Sequence, residues 1–222
     1  MKLPLSDRLM ACCAFVRPGD RVADVGCDHG YLSIYLLQTG TASHVYAADV
    51  RSGPLSSAKH NAEAYGITGQ IDFFLSDGVQ NLPRDFDALV CAGMGGDTMI
   101  SILSAAPWLR SERYRLILQC QSKRPILRRY LSENGWDIHR ETVLRDGRFL
   151  YTVMEVLWQP DSPKLTAGQW YFPPALRNCS APERTEYYRW VLDGLRLAVR
   201  HRPDAENQQA IRELEAMQEE MK

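Results

Sequence analysis

Val22-Ala23-Asp24-Val25-Gly26-Cys27-Asp28-His29-Gly30-Tyr31 reads as a buried strand that ends on a glycine, turns sharply, and opens a helix at Tyr31-Leu32-Ser33-Ile34. Such a turn gathers backbone N–H groups and a helix N-terminus around one crevice, where a polar ligand can sit. Two carboxylates, Asp24 and Asp28, belong to the same turn. Carboxylates repel phosphate and attract ammonium or sulfonium groups. The run Gly26-Cys27-Asp28-His29-Gly30 also lacks the G-x-G-x-x-G spacing of a pyrophosphate cradle. The ligand this turn favours is therefore a cationic nucleoside such as S-adenosylmethionine rather than NAD or ATP.

Working outward, strands and helices alternate. A helix is expected over Ser6–Val16, with Ser6 or Asp7 as N-cap and Leu5, Leu9 and Cys13 on one face. Strands follow at Arg21–Gly26, His44–Asp49, Ile71–Leu75, Asp87–Ala92 and Tyr114–Gln119. Helices intervene at Tyr31–Gln38, Pro54–Tyr65, from Asp97 onward, and at Pro125–Asn134. Repeated βα units require a parallel sheet covered by helices on both faces. Two last runs, Trp136–Leu144 and Phe149–Leu157, flank Asp146-Gly147, a hairpin signal. A parallel α/β sheet that ends in an antiparallel hairpin is the Rossmann-like, seven-stranded layout of class I methyltransferases.

Past Gln159 the chain becomes irregular and proline-rich. Ser180-Ala181-Pro182-Glu183 matches a capping box. Tyr188, Leu192, Leu195 and Val199 then recur at helical spacing, and Ile211, Leu214, Gln218 and Met221 do so after the break at Arg202-Pro203-Asp204. Residues 1–159 are thus expected to form the methyltransferase domain, and 160–222 a linker with a coiled-coil-like C-terminal αα-hairpin.

The 222 residues carry a net charge of −1, so nothing global announces nucleic acid or membrane. The distribution is less even: residues 1–106 sum to −4, residues 107–150 to +5, and residues 151–222 to −2. A basic middle segment either contacts phosphates or is a solvated helix face. The six cysteines have no zinc-like spacing, which implies reduced buried thiols, no metal, and a cytoplasmic setting. The N-terminal residues do not read as a secretory signal, and no apolar run is long enough for a membrane span. The oligomeric state is left open, with a monomer favoured.

The carboxyl ends of the strands carry the candidate site. Asp24, Gly26, Cys27, His29 and Gly30 line the first turn, with Asp24 and Asp28 facing a cofactor ammonium. Asp28 is read either as a helix N-cap or as a charge beside the reacting base, or as both. His29 is expected to order its loop, and Tyr31 either stacks on a flat substrate or packs in the core. Asp49, followed by Val50, can accept ribose hydroxyls. Ser76-Asp77-Gly78 can meet an adenine edge. Ala92 and Gly93 lead into Met94-Gly95-Gly96, where small residues let a substrate approach the backbone.

These pieces resemble the TrmK family of bacterial tRNA (adenine-22-N1) methyltransferases. The resemblance rests on Leu5-Ser6-Asp7-Arg8-Leu9, the Asp24–Leu32 turn, Ser76-Asp77-Gly78, Ala92-Gly93-Met94-Gly95-Gly96 and Leu116-Ile117-Leu118-Gln119. Arg128–Trp136 and Phe149–Glu155 fit as well. Cys120 stands where the family often has proline, Phe172-Pro173-Pro174 is also variant, and the helical hairpin is short. The resemblance implies methyl transfer from S-adenosylmethionine to N1 of an adenine in tRNA, leaving S-adenosylhomocysteine. It implies Asp28 and Tyr31 as catalytic neighbours of the base, gripped by the Gly93–Gly96 backbone. Lys123, Arg124, Arg128, Arg129 and Arg148 are the expected phosphate contacts. Two other classes compete: a methyltransferase acting on a small molecule or protein, and a non-enzymatic module that binds tRNA or a partner through its hairpin.

Overall fold

The computed structural model describes residues 3–220, with residues 218–220 described by backbone only. Helix α1 (Asp7–Cys13) precedes strand β1 (Asp20–Val25) and helix α2 (Tyr31–Gln38). Strand β2 (Ala42–Asp49), α3 (Ser52–Ala64), β3 (Ile71–Leu75), β4 (Ala88–Gly95) and α4 (Gly96–Ala105) follow. Then come β5 (Arg115–Ser122), α5 (Arg124–Glu133) and the hairpin β6 (Trp136–Asp146) and β7 (Phe149–Trp158). The sheet order is β3-β2-β1-β4-β5-β7-β6. Strands β1 to β5 pair in parallel, whereas β7 is antiparallel to both β5 and β6. That is the seven-stranded arrangement expected from the terminal hairpin.

Side-chain alternation along the strands feeds two cores. Ala23, Val25, Leu89, Cys91, Leu116 and Leu118 pack on the face covered by α4 and α5. Val22, Val45, Ala47, Val90 and Ile117 pack on the face covered by α1, α2 and α3. Asp24 falls on the second face, where the Ser33 hydroxyl of α2 donates to its carboxylate at 2.6 Å. The chain order reverses between β1 and β4, and this switch point opens a crevice at their carboxyl ends.

Several boundaries moved for identifiable reasons. The expected loop at Gly93-Met94-Gly95 continues as strand, because the backbone keeps pairing with Cys120 and Ser122 through two register shifts. The proline-rich segment holds two short helices, α6 (Ala167–Tyr171) and α7 (Pro174–Arg177). The capping box belongs to Thr166 and Gln169 at the start of α6, not to Ser180 and Glu183. Arg184 donates to the carbonyls of Arg177 and Cys179, folding the loop back and delaying the start of α8 (Arg184–His201).

Helix α9 (Ala205–Glu220) begins after Asp204, whose carboxylate accepts from the Asn207 N–H at 2.8 Å. Its buried side chains are Ala210, Leu214 and Met217. Met221 and the side chain of Gln218, both expected on that stripe, lie outside the described residues. Nor do the two helices close only on each other. Tyr187, Leu192, Leu195 and Leu214 share a core with Phe172 and Leu176 and with Val143 of β6. Among the described residues, no helix is long and apolar enough to cross a membrane.

Candidate active site

The crevice at the switch point has a volume of about 400 Å³. Its walls bring together Asp24, Gly26, Cys27, Asp28, His29 and Tyr31 from the first turn, and Asp49 and Val50 from the end of β2. Ser76, Asp77 and Gly78 come from the end of β3, and Ala92, Gly93 and Met94 from β4. Four strand-end loops, far apart in sequence, therefore converge as expected.

The first turn is fastened to β2. Gly26 and Cys27 both donate to the Ala48 carbonyl, at 2.8 and 2.9 Å. Gly26 sits at φ +75°, which favours glycine, and a Cβ there would lie 2.3 Å from the Met94 methyl, which would have to swing aside. Asp28 adopts φ 49°, in the left-handed region that a non-glycine residue enters rarely. Its N–H points at the Asp49 carboxylate at 3.3 Å, and the Arg51 N–H donates to the same group at 2.9 Å. Asp49 is thus a buried acceptor held in a fixed orientation.

Asp24 is buried, and its carboxyl is pushed up from 3.8 to about 6. Burial is the main cause, the Ser33 hydroxyl opposes it, and the nearby Asp49 charge adds to it. Burial, reinforced by Asp24 and Asp49, also holds the Cys27 thiol protonated, so Cys27 is no nucleophile. His29 lies beside Tyr31, ring centroids 5.9 Å apart, with the Asp28 carboxylate 3.8 Å away. Its carbonyl accepts from Asn61, tying the loop to α3. Ser76 spends its hydroxyl on closing its own turn, donating to the Gly78 carbonyl at 3.0 Å.

Other expectations are corrected. Gly30, not Asp28, is the N-cap of α2, and no side chain caps that helix. Gly30 packs against Ala58 instead of lining the crevice, because only a residue without a Cβ lets α2 approach α3 there. Gly95 and Gly96 turn away from the crevice. A Cβ on Gly96 would meet the Lys123 carbonyl at 2.8 Å, so this glycine serves the packing of α4 on the β5–α5 turn.

Arg128 is not a phosphate contact. It is 0% exposed and bonds the Glu141 carboxylate at 2.5 Å, the Tyr187 hydroxyl at 3.3 Å and the carbonyls of Trp170 and Tyr171. Its position in the amphipathic helix α5 faces inward, which charge counting alone does not reveal. Arg129 is paired with Glu133 and Glu206, and Lys123 with Asp97. Arg124 and Arg148 have no carboxylate partner among the described residues.

The crevice also contains residues that sequence reasoning passed over: Arg8, Leu9, Arg51, Thr98, Ile102 and Gln121. Arg8 reaches it from α1, donating to the side-chain amide oxygen of Gln119 at 3.2 Å, and that oxygen also accepts the Gly93 N–H at 3.0 Å. The Leu5–Leu9 segment and Gln119 stood out as motif pieces without an assigned task. Their joint hold on Gly93 supplies one.

A sheet with one reversed strand, with a crevice lined by Asp24, Asp28, Asp49 and Asp77 at its switch point, has the form of a Rossmann-like, S-adenosylmethionine-dependent methyltransferase. A family model described as a methyltransferase domain matches residues 5–154. Protein MG248 of Mycoplasma genitalium is 35% identical over 162 residues, 71% of each chain. The tRNA (adenine(22)-N(1))-methyltransferase of Bacillus subtilis is 31% identical over 154 residues, 69% of this chain and 65% of that one. Streptococcus pneumoniae Sp1610, solved in complex with S-adenosyl-L-methionine, superposes with a TM-score of 0.83 at 29% identity, covering 95% of this chain and 99% of that one. The chain belongs to the TrmK family of tRNA methyltransferases.

Proposed function

We propose that this chain transfers a methyl group from S-adenosylmethionine to N1 of adenine 22 in tRNA. The observation that carries the reading is the convergence of four acidic or glycine-rich strand ends on one crevice. The donor set fits the cofactor group by group. The buried Asp49, oriented by two N–H groups, accepts the ribose hydroxyls. Asp77 accepts from the adenine amine, and Asp24 faces the ammonium. Arg8 supplies the cation that the methionyl carboxylate needs. When bound, S-adenosylmethionine supplies an electrophilic methyl group on a sulfonium.

The chain's own residues then have a limited chemical task. Adenine N1 already carries a lone pair, so no side chain has to remove a proton before attack. Alignment is the main requirement. Tyr31, half-buried at the rim, stacks on the base, while Gly93 and Met94 let its edge come close to the backbone. Positive charge then develops on the base, and the exposed carboxylate of Asp28 lies at the same mouth to stabilise it. N1 is on the pairing edge, so the adenine must be unpaired or extruded to reach this position. The six buried free thiols suit a reducing cytoplasm.

The test is incubation with methyl-labelled S-adenosylmethionine and unmodified tRNA, followed by mapping of the product. Label at N1 of adenine 22 is the expected result. Cofactor binding without label in any tRNA would overturn the proposal. Label in a metabolite or polypeptide, with tRNA inert, would assign the crevice to another substrate class.

A further inference from the structure

Of the five basic residues in the middle segment that were expected on RNA, Arg128 is sealed in a buried ion pair, and Arg129 and Lys123 are paired with carboxylates at the surface. The two without a carboxylate partner, Arg124 and Arg148, line one recess. This recess has a volume of about 440 Å³ and includes Phe149, Tyr151 and Trp190 in its walls. Gln121 lines both the recess and the methyltransferase crevice, so the two are neighbours on one face. The recess holds one carboxylate, Glu186, and that is paired with Arg145.

Two of the recess aromatics stand out from the surface. Trp190 is 55% exposed and Phe149 53%, though each is large enough to reward burial. Guanidinium groups cover parts of both rings. Arg124 lies 5.2 Å from the Trp190 ring centre and 5.5 Å from that of Tyr187, and Arg148 lies 5.0 Å from that of Phe149. A single-stranded nucleotide presents a flat π-face for such rings and a phosphate for such cations. Arg124 also donates to the Leu150 carbonyl at 3.3 Å, and neither arginine is neutralised by a carboxylate among the described residues, so both keep donors for a phosphate.

We infer that this recess is a second nucleotide subsite, which stacks an unpaired nucleotide neighbouring the target adenine on Trp190 and Phe149 and holds its phosphate with Arg124 and Arg148. The inference rests on the tRNA reading above. It assigns a different role to each part of the RNA surface. The crevice receives the reacting base, and the recess keeps its neighbour out of the duplex.

The test is steady-state kinetics on tRNA with Trp190→Ala, Trp190→Phe and Phe149→Ala, beside Leu197→Ala as an exposed control on the same helix. Trp190→Ala should raise KM for tRNA about tenfold, within the range of one lost base stack, with kcat and S-adenosylmethionine affinity unchanged. Trp190→Phe should retain most of the affinity, and Leu197→Ala all of it. Arg124→Gln and Arg148→Gln should each lower the slope of log affinity against log salt by about 0.7 to 0.9. A tRNA carrying 2-aminopurine beside the target should lose fluorescence on binding the wild type more than on binding Trp190→Ala.

A wild-type KM in both Trp190→Ala and Phe149→Ala, while the wild type methylates tRNA, would overturn the subsite and leave the parent reading intact. A change in oligomeric state with KM preserved would give the patch to a protein partner and equally overturn it. Absence of tRNA methylation by the wild type would instead sink the parent reading.

Discussion

Asp24 offers a quantitative handle on cofactor binding. Its carboxyl lies at about 6 in the free protein because it is buried, and because the Asp49 charge is near. Only the ionised form can pair with the cofactor ammonium. A group titrating there is about one-tenth ionised at pH 5 and about nine-tenths ionised at pH 7. Affinity for S-adenosylmethionine should therefore rise about tenfold between pH 5 and pH 7 and then level off. The stability effect has the opposite sign. From about pH 4 to about pH 6 the folded chain keeps a proton that the unfolded chain has lost, so the free protein loses up to about 3 kcal/mol as pH rises through that window.

The Asp24→Asn variant keeps an acceptor for the Ser33 hydroxyl and removes the titration. It should show weak affinity at every pH and no such loss of stability. Calorimetry at pH 5, 6 and 7 measures the first effect and urea unfolding the second. Equal affinity of the parent at pH 5 and pH 7, or a pH slope that survives in Asp24→Asn, would refute the assignment of Asp24 to the ammonium.

Gly26→Ala should weaken cofactor binding and unfold at a lower temperature, since its φ disfavours a side chain and its methyl would displace the Met94 side chain that lines the crevice; calorimetry and thermal melting check both. Arg128→Met should cost about 3 to 5 kcal/mol in urea unfolding by leaving Glu141 buried and unpaired, while Arg128→Met combined with Glu141→Leu recovers part of it. The double variant should keep the wild-type salt dependence of tRNA binding, which a phosphate contact at Arg128 would not allow. Tyr31→Ala should leave S-adenosylmethionine affinity within about twofold and lower kcat on tRNA by tenfold or more; equal losses in both would make Tyr31 a packing residue.

The order of elements and the acidic strand ends were legible in the chain because both depend on local pattern: apolar runs, glycine turns and an acid at the end of each early strand. What could not be read was the partner of each charge. Arg128 and Arg124 look alike in sequence, four residues apart on one helix, yet one is sealed beneath α6 and α8 and the other lies over the Trp190 ring. That difference is decided by where the C-terminal helices dock. Arg8 was invisible as a site residue for the same reason. Its guanidinium reaches Gly93 only because Gln119, 111 residues away in sequence, presents an oxygen to both. Gly95 and Gly96 misled by composition: three glycines in four residues signal close approach, but for these two the approaching group is the protein itself, the Ser122 hydroxyl at Gly95 and the Lys123 carbonyl at Gly96.

The buried Arg128 also bears on how this chain can be divided. Its guanidinium draws on α5, on Glu141 of β6, on the carbonyls of Trp170 and Tyr171 in α6, and on the hydroxyl of Tyr187 in α8. Severing the chain after Gln159 would expose a charge pair stripped of half its bonding. The catalytic sheet and the helical appendage are thus joined by one shared electrostatic debt, and neither can be exchanged for a foreign module unless Arg128 and Glu141 are replaced along with it.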